Sequence, residues 1–244
     1  MFSFEVLLFA PLILFGAYLI FGIAGFGSTL ISVPLLAHLL PLKFVIPVVV
    51  LLDCVSAISL GVKLRADVWK TEFTPMLPFL LAGLALGAYV LVKMPTQTLM
   101  LVLGCFVLYF GTRYLIDKKS MMRLPRWTVA PIGLFAGATS SALGVGGPIY
   151  VFYFTARGAT SEQIRATVPA VFGYTTVARI FIFAVIGLFT QEMLITAAMM
   201  LPVMALGTWC GHKLHGRLSR EQAVRVVGGL LVLSGASLLL RAAA

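Results

Sequence analysis

The sequence predicts an all-α polytopic membrane protein built as two inverted repeats, each a broken, re-entrant helical stretch followed by three transmembrane helices. Three observations predict it: the excess of apolar residues, a duplicated glycine and proline pattern, and the distribution of positive charge. Of 244 residues, 61% are hydrophobic and 11% charged, with a mean hydropathy of +1.07; water cannot be the main solvent of such a chain. Runs of roughly 19 apolar residues match a hydrocarbon core of about 30 Å. Their unbroken character excludes a β-barrel, whose strands alternate apolar and polar residues.

The duplication emerges when the second half is laid over the first at an offset near 120 residues. Gly25-Phe-Gly27-Ser28-Thr29 falls on Gly144-Val-Gly146-Gly147-Pro148, and Pro47 falls near Pro169. Gly83 and Gly87 fall on Gly207 and Gly211, and Gly104 and Gly111 on Gly228 and Gly235, these last two correspondences sharing one offset. The expected organisation is a first repeat over residues 1–117, a basic linker over 118–127 and a second repeat over 128–244. In the first repeat the interrupted stretch is 6–40 and the regular spans are 44–62, 74–92 and 98–116. In the second they are 128–155, then 166–188, 191–211 and 222–240. The paired glycines suit close helix packing, which is how apolar helices associate in lipid.

A continuous helix over 6–40 would be about 50 Å long, well over one membrane thickness. It must break, and the glycine cluster is where a helix is weakest. The stretch is therefore a kinked span or a hairpin that turns at mid-depth and leaves on the side it entered. Positive charge separates the two, because Lys and Arg of short loops collect on the cytoplasmic face. If both stretches cross, the two faces receive nearly equal shares. If both are re-entrant, only Lys43, Lys93 and Arg241 stand opposite the other loop cations, and Arg179 alone is left within the membrane. The hairpin is thus expected in both repeats, with the linker cytoplasmic, both termini periplasmic and the repeats inverted. At about 42 Å by helical rise, 128–155 could still be one kinked span. The amino terminus lacks a basic leader region, so no cleaved signal peptide is expected.

Each glycine motif precedes a second apolar half-helix, with Ser28 or Thr29 as a cap and Pro148 suited to the first helical position. Helix amino-termini carry partial positive charge, and glycine lets a ligand approach the backbone. Gly25, Gly27, Ser28, Thr29, Gly144, Gly146 and Gly147 are accordingly candidate substrate-binding residues, although the glycines would also serve a bend or close packing. Arg179 joins them, because a cation within an apolar span must pair or line a polar cavity. Asp53 lies near the centre of the corresponding span. The two could form a structural salt bridge; alternatively Arg179 binds substrate while Asp53 couples a proton or sodium ion or balances charge. Ser56, Ser59, Ser140, Ser141, Tyr174, Thr175 and Thr176 could complete a polar path, though membrane hydroxyls often bond their own backbone.

Other function classes find little support. The net charge of +10 is spread over short interhelical clusters, as membrane orientation requires, so no nucleic-acid partner is expected. Cys54, Cys105 and Cys210 stand singly in apolar segments, and His212 and His215 lack accompanying carboxylates or thiolates, so neither metal nor cofactor is expected. An embedded enzyme would need a cluster of His, Cys or paired carboxylates at one depth, and none is visible.

Residues 24–34, Ala-Gly-Phe-Gly-Ser-Thr-Leu-Ile-Ser-Val-Pro, and 144–154, Gly-Val-Gly-Gly-Pro-Ile-Tyr-Val-Phe-Tyr-Phe, followed by 156–167, Ala-Arg-Gly-Ala-Thr-Ser-Glu-Gln-Ile-Arg-Ala-Thr, resemble the TauE/SafE family. The resemblance covers essentially the whole chain and its two-unit layout; where the chain has Ser28-Thr29, many relatives have a third glycine or another small residue. It implies a bacterial inner-membrane permease or exporter for small anions, often sulfur-containing, driven by an ion gradient. Sulfite and organosulfonates suit the expected site, as would thiosulfate or small carboxylates. A passive anion channel would use the same helix ends but would not saturate. Oligomeric state and direction of transport are not encoded in these motifs.

Overall fold

The computed structural model describes residues 4–24, 27–59, 68–116, 124–214 and 220–243. Gly25, the linker residues 118–123, His215 and the loop cations Lys63, Arg65, Lys118, Lys119, Arg123 and Arg217 lie outside them. The described residues form α1 (Phe4–Ala24), α2 (Ser28–Leu36), α3 (Leu42–Ser59), α4 (Lys70–Lys93), α5 (Thr96–Ile116), α6 (Val129–Leu143), α7 (Gly147–Ala156), α8 (Ser161–Val185), α9 (Gln191–Leu214) and α10 (Arg220–Ala243), with a 3-10 turn at Arg126–Thr128. No strand occurs among them. Among the described residues α1, α4, α5, α8 and α9 are long and apolar enough to cross a membrane, so the protein is polytopic and all-helical.

Both interrupted stretches break at glycine. Gly27 holds a φ of 98° immediately before α2. Gly144 holds 76° as the residue closing α6; its N–H donates to the Ser140 carbonyl, and the Val145 N–H to that of Thr139. A side chain would clash with its own backbone at such angles, which is why glycine stands at both breaks.

The helices gather into two compact units that interleave the halves of the sequence: residues 1–56, 94–118 and 189–244 form one, and 57–93 and 119–188 the other. In the first unit α1 packs on α9. Gly207 and Gly211 meet the backbone of Phe15 and Leu19, and Gly22 meets that of Thr208 and Gly211. Residue numbers rise together along the contact, so α1 and α9 run parallel. In the same unit Gly104 faces Gly235 and Leu239, while Gly111 faces Gly228 and Leu231; α5 and α10 therefore run antiparallel. In the second unit Gly83 and Gly87 meet the backbone of Leu134 and Ala138, and Gly137 meets that of Leu80, so α4 and α6 are parallel. Both parallel contacts set a Gly-x-x-x-Gly pair on one helix against carbonyls four residues apart on the other. A methyl group at these glycines would reach backbone, which cannot yield as a side chain can.

Helix α8 begins at Ser161, five residues before the apolar span expected from residue 166. Thr160 caps it by accepting from the Gln163 N–H, and the Gln163 side chain accepts from the Thr160 N–H. This capping box carries the helix beyond its apolar part. On α8, Val177 and Phe181 are 65% and 69% exposed while Arg179 is 2% exposed. The arginine therefore points into the protein and does not snorkel toward the lipid surface.

Candidate functional site

In the first unit, three helices meet at the α2 break. Ser28, the first residue of α2, donates its hydroxyl to Asp53 Oδ1 at 2.8 Å. Tyr18 of α1 donates to the same oxygen at 2.9 Å. Asp53 is 8% exposed and Tyr18 fully buried. A buried carboxylate is costly unless hydrogen-bonded, and two hydroxyl donors offset much of that cost at about 1.5–3 kcal/mol each. Gly27, Ser28 and Thr29 are all buried, with open space where a Gly27 side chain would stand. The chain thus supplies its own anion to the amino-terminal end of α2, the position where helix polarity favours negative charge.

The α7 break of the second unit is built differently. As at α2, where Gly27 takes the cap position and the expected caps Ser28 and Thr29 lie inside the helix, no side chain caps α7; here Pro148 occupies the first turn. Proline carries no N–H, and the Ile149 and Tyr150 N–H groups donate to the Gly146 carbonyl, so the further donors at this helix end are the amides of its buried glycines. Tyr150, one turn into α7, is fully buried, and its hydroxyl makes no hydrogen bond among the described residues. That hydroxyl lies against Gly146, where a side chain would collide with it and with Ser140. The hydroxyls of Ser140 and Thr175 stand beside it, and the buried Arg179 follows Thr175 by one turn on the same face of α8. The Phe172 ring fills the space a Gly147 side chain would need and meets Tyr150 edge-on at 5.9 Å. Gly146 and Gly147 are therefore small because Ser140, Tyr150 and Phe172 press on them.

The predicted residues consequently divide. Gly27, Ser28, Thr29 and Asp53 come together in one unit; Gly144, Gly146, Gly147 and Arg179 belong to the other. Of the polar path, Ser140 and Thr175 stand with Tyr150. Ser56 donates instead to the Met204 sulfur at 2.8 Å, and Tyr174 packs edge-on against Phe73. Sequence reasoning missed Tyr18 and Tyr150, because tyrosines inside apolar runs look like bulk. The usable signal was position: Tyr150 lies three residues after Gly147, one turn from the break. The described residues hold no group of three metal-ligating side chains.

Comparison with known proteins adds the family. The model described as sulfite exporter TauE/SafE matches residues 10–238. A probable sulfite/organosulfonate exporter TauE of Cupriavidus necator is 29% identical over 223 residues, covering 89% of this chain and 87% of the relative. A probable inner membrane transporter protein TsaS of Comamonas testosteroni is 26% identical over 198 residues, covering 78% and 80% respectively. No solved structure matches.

Proposed function

Because the chain belongs to the sulfite exporter TauE/SafE family, we propose that this membrane transporter is a secondary transporter of small anions, sulfite or organosulfonates foremost, with an alternating-access site near the bilayer midplane. The observation that carries the reading is the α7 break: an uncapped helix amino-terminus, a fully buried Tyr150 hydroxyl with no hydrogen bond among the described residues, and a buried Arg179 nearby. Such donors suit a small oxyanion, which offers several acceptor oxygens and negative charge. The relative from Cupriavidus necator, a probable sulfite/organosulfonate exporter, points to the same substrate chemistry.

The two breaks then have different roles. Asp53 disfavours a second anion at the α2 end, so Gly27, Ser28 and Thr29 hold the carboxylate while the substrate belongs at Gly146, Gly147, Tyr150 and Arg179. Asp53 serves as the coupling group, a buried carboxylate able to alternate between charged and protonated forms.

Helix directions support inverted repeats, and the charge distribution supports an inner-membrane orientation with periplasmic termini. If both interrupted stretches crossed and successive spans alternated, α5 and α10 would run parallel. Two hairpins reverse that relation and retain the parallel α1–α9 and α4–α6 pairs. The observed antiparallel α5–α10 contact fits the hairpins, as does the charge distribution. Transport by purified protein in sealed vesicles tests the reading: saturable movement of radiolabelled sulfite supports it, whereas non-saturating flux of any small anion would indicate a channel.

A further inference from the structure

Away from the anion site, the second unit contains an ion pair built on a buried carboxylate at the opposite end of α7. Arg157, directly after the helix, grips Glu72 of α4 with two donors: Nη2 to Oε1 at 2.6 Å and Nε to Oε2 at 3.1 Å. Tyr153 of α7 adds its hydroxyl to Glu72 Oε2 at 2.8 Å. The remaining arm of Arg157, Nη1, donates to the Leu124 carbonyl at 2.6 Å, and the Leu124 N–H donates to the Ala156 carbonyl. The Glu72 side chain is 4% exposed and that of Arg157 16%. A cation needed only for membrane orientation could remain in water, without a buried carboxylate or all three guanidinium nitrogens engaged.

The cluster has mechanical reach because α7 is short. Its ten residues amount to about 15 Å of helix, stiff enough to join its two ends as one body. Tyr150 and Tyr153 lie three residues apart on one helix face. One hydroxyl is tied to Glu72; the other stands at Gly146 among the site's hydroxyls. Rotating or sliding α7 enough to break the Glu72–Tyr153 bond would also re-aim Tyr150 and the glycine amides.

We propose that Glu72 is a positioning residue for transport: through Arg157 and Tyr153 it fixes the rotation and register of α7, and thereby the aim of Tyr150 and the Gly146-Gly147 backbone at the anion. The inference rests on the anion-transport reading. Its test uses the full chain in sealed vesicles, with initial rates of radiolabelled sulfite transport and thermal unfolding measured with and without sulfite. Tyr153→Phe removes one hydroxyl and retains the Glu72–Arg157 pair, so it preserves the fold. The expected result is a rise in KM of roughly tenfold, the size of one lost aimed hydrogen bond, with Vmax per folded transporter within about twofold. Glu72→Gln should raise KM further, and both variants should weaken the stabilisation by sulfite. Lower thermal stability with an unchanged KM would assign the cluster a structural role and overturn the proposal. A wild-type protein that moves neither sulfite nor sulfonates would overturn the anion reading itself, a result distinguishable because it appears before any substitution is made.

Discussion

Ser28 donates its hydroxyl to Asp53 at 2.8 Å, so the residue that begins α2 serves the chain's own carboxylate. Tyr18 completes the arrangement. Two glycine motifs of similar sequence thus lead to different surroundings: a buried carboxyl group at the α2 break, and a buried tyrosine hydroxyl with Arg179 on the neighbouring α8 at the α7 break.

Asp53→Asn is expected to leave transport saturable but to abolish its acceleration by an imposed pH gradient, since the amide oxygen still accepts from Ser28 and Tyr18 but cannot take up a proton. Initial rates with and without the gradient measure this. Asp53→Ala should instead lower thermal stability, because orphaning two buried hydroxyls costs about 1–3 kcal/mol each. A pH-gradient response retained by Asp53→Asn would remove Asp53 from coupling.

The helix contacts predict opposite outcomes for two kinds of glycine. Gly87→Ala and Gly211→Ala drive a methyl into the backbone of Ala138 and Leu19 and should cost about 1–3 kcal/mol. Gly16→Ala and Gly229→Ala meet open space and should be neutral or stabilising by up to about 1 kcal/mol, as expected for glycine in a helix interior. Unfolding temperatures in detergent distinguish them. Equal effects at all four positions would contradict the close helix approach.

The turn after α2 carries a pH dependence. Arg241 of α10 donates to the carbonyls of Ala37 and His38, engaging the carbonyl end of the half-helix. Burial, and secondarily the Arg241 charge, hold the His38 imidazole below its ordinary value. A depressed imidazole binds its proton more weakly in the folded state, so the contribution to stability is present above about pH 6.5 and declines as pH falls below it. His38→Gln should flatten the fall in unfolding temperature between pH 7.5 and pH 5, taken as approximate bounds on either side of the ordinary imidazole value. An unchanged slope would show that His38 contributes nothing to it.

Topology offers a separate check. In a protein lacking its native cysteines, a cysteine replacing the exposed Trp127 should react with a membrane-impermeant thiol reagent only from the cytoplasmic side, and one replacing Phe4 only from the periplasmic side. Reaction of both from one side would rule out the hairpin arrangement.

The helical, membrane-spanning character of the fold was legible because composition and length constrain a membrane chain strongly. Residues 6–40 exceed one bilayer crossing, and the only good breaking point is the glycine motif, so α1 and α2 could be anticipated. The Gly83/Gly87 and Gly207/Gly211 pairs likewise signalled close packing, although not the partners that interleave the two halves. The polar contacts were less legible. Arg157 and Arg241 were counted as loop charges that set orientation; one is a partly buried partner of the buried Glu72 and the other binds the end of α2. Glu72 lies just before the apolar core of its span, where a carboxylate looks like a boundary residue. Pairings between helices distant in sequence leave no local periodicity, so Tyr18–Asp53 and Tyr153–Glu72 emerge only when the chain is folded.

The most direct measurement is sulfite transport by Arg179→Gln in sealed vesicles, alongside wild-type protein and a thermal-unfolding control for folding. An arginine at the membrane centre carries an insertion cost of about 2.5–3.5 kcal/mol, so its removal need not harm the fold if its role is to meet the anion. The expected result is a folded protein in which saturable sulfite transport and stabilisation by sulfite are both lost. Wild-type KM and Vmax in a well-folded Arg179→Gln protein would contradict it.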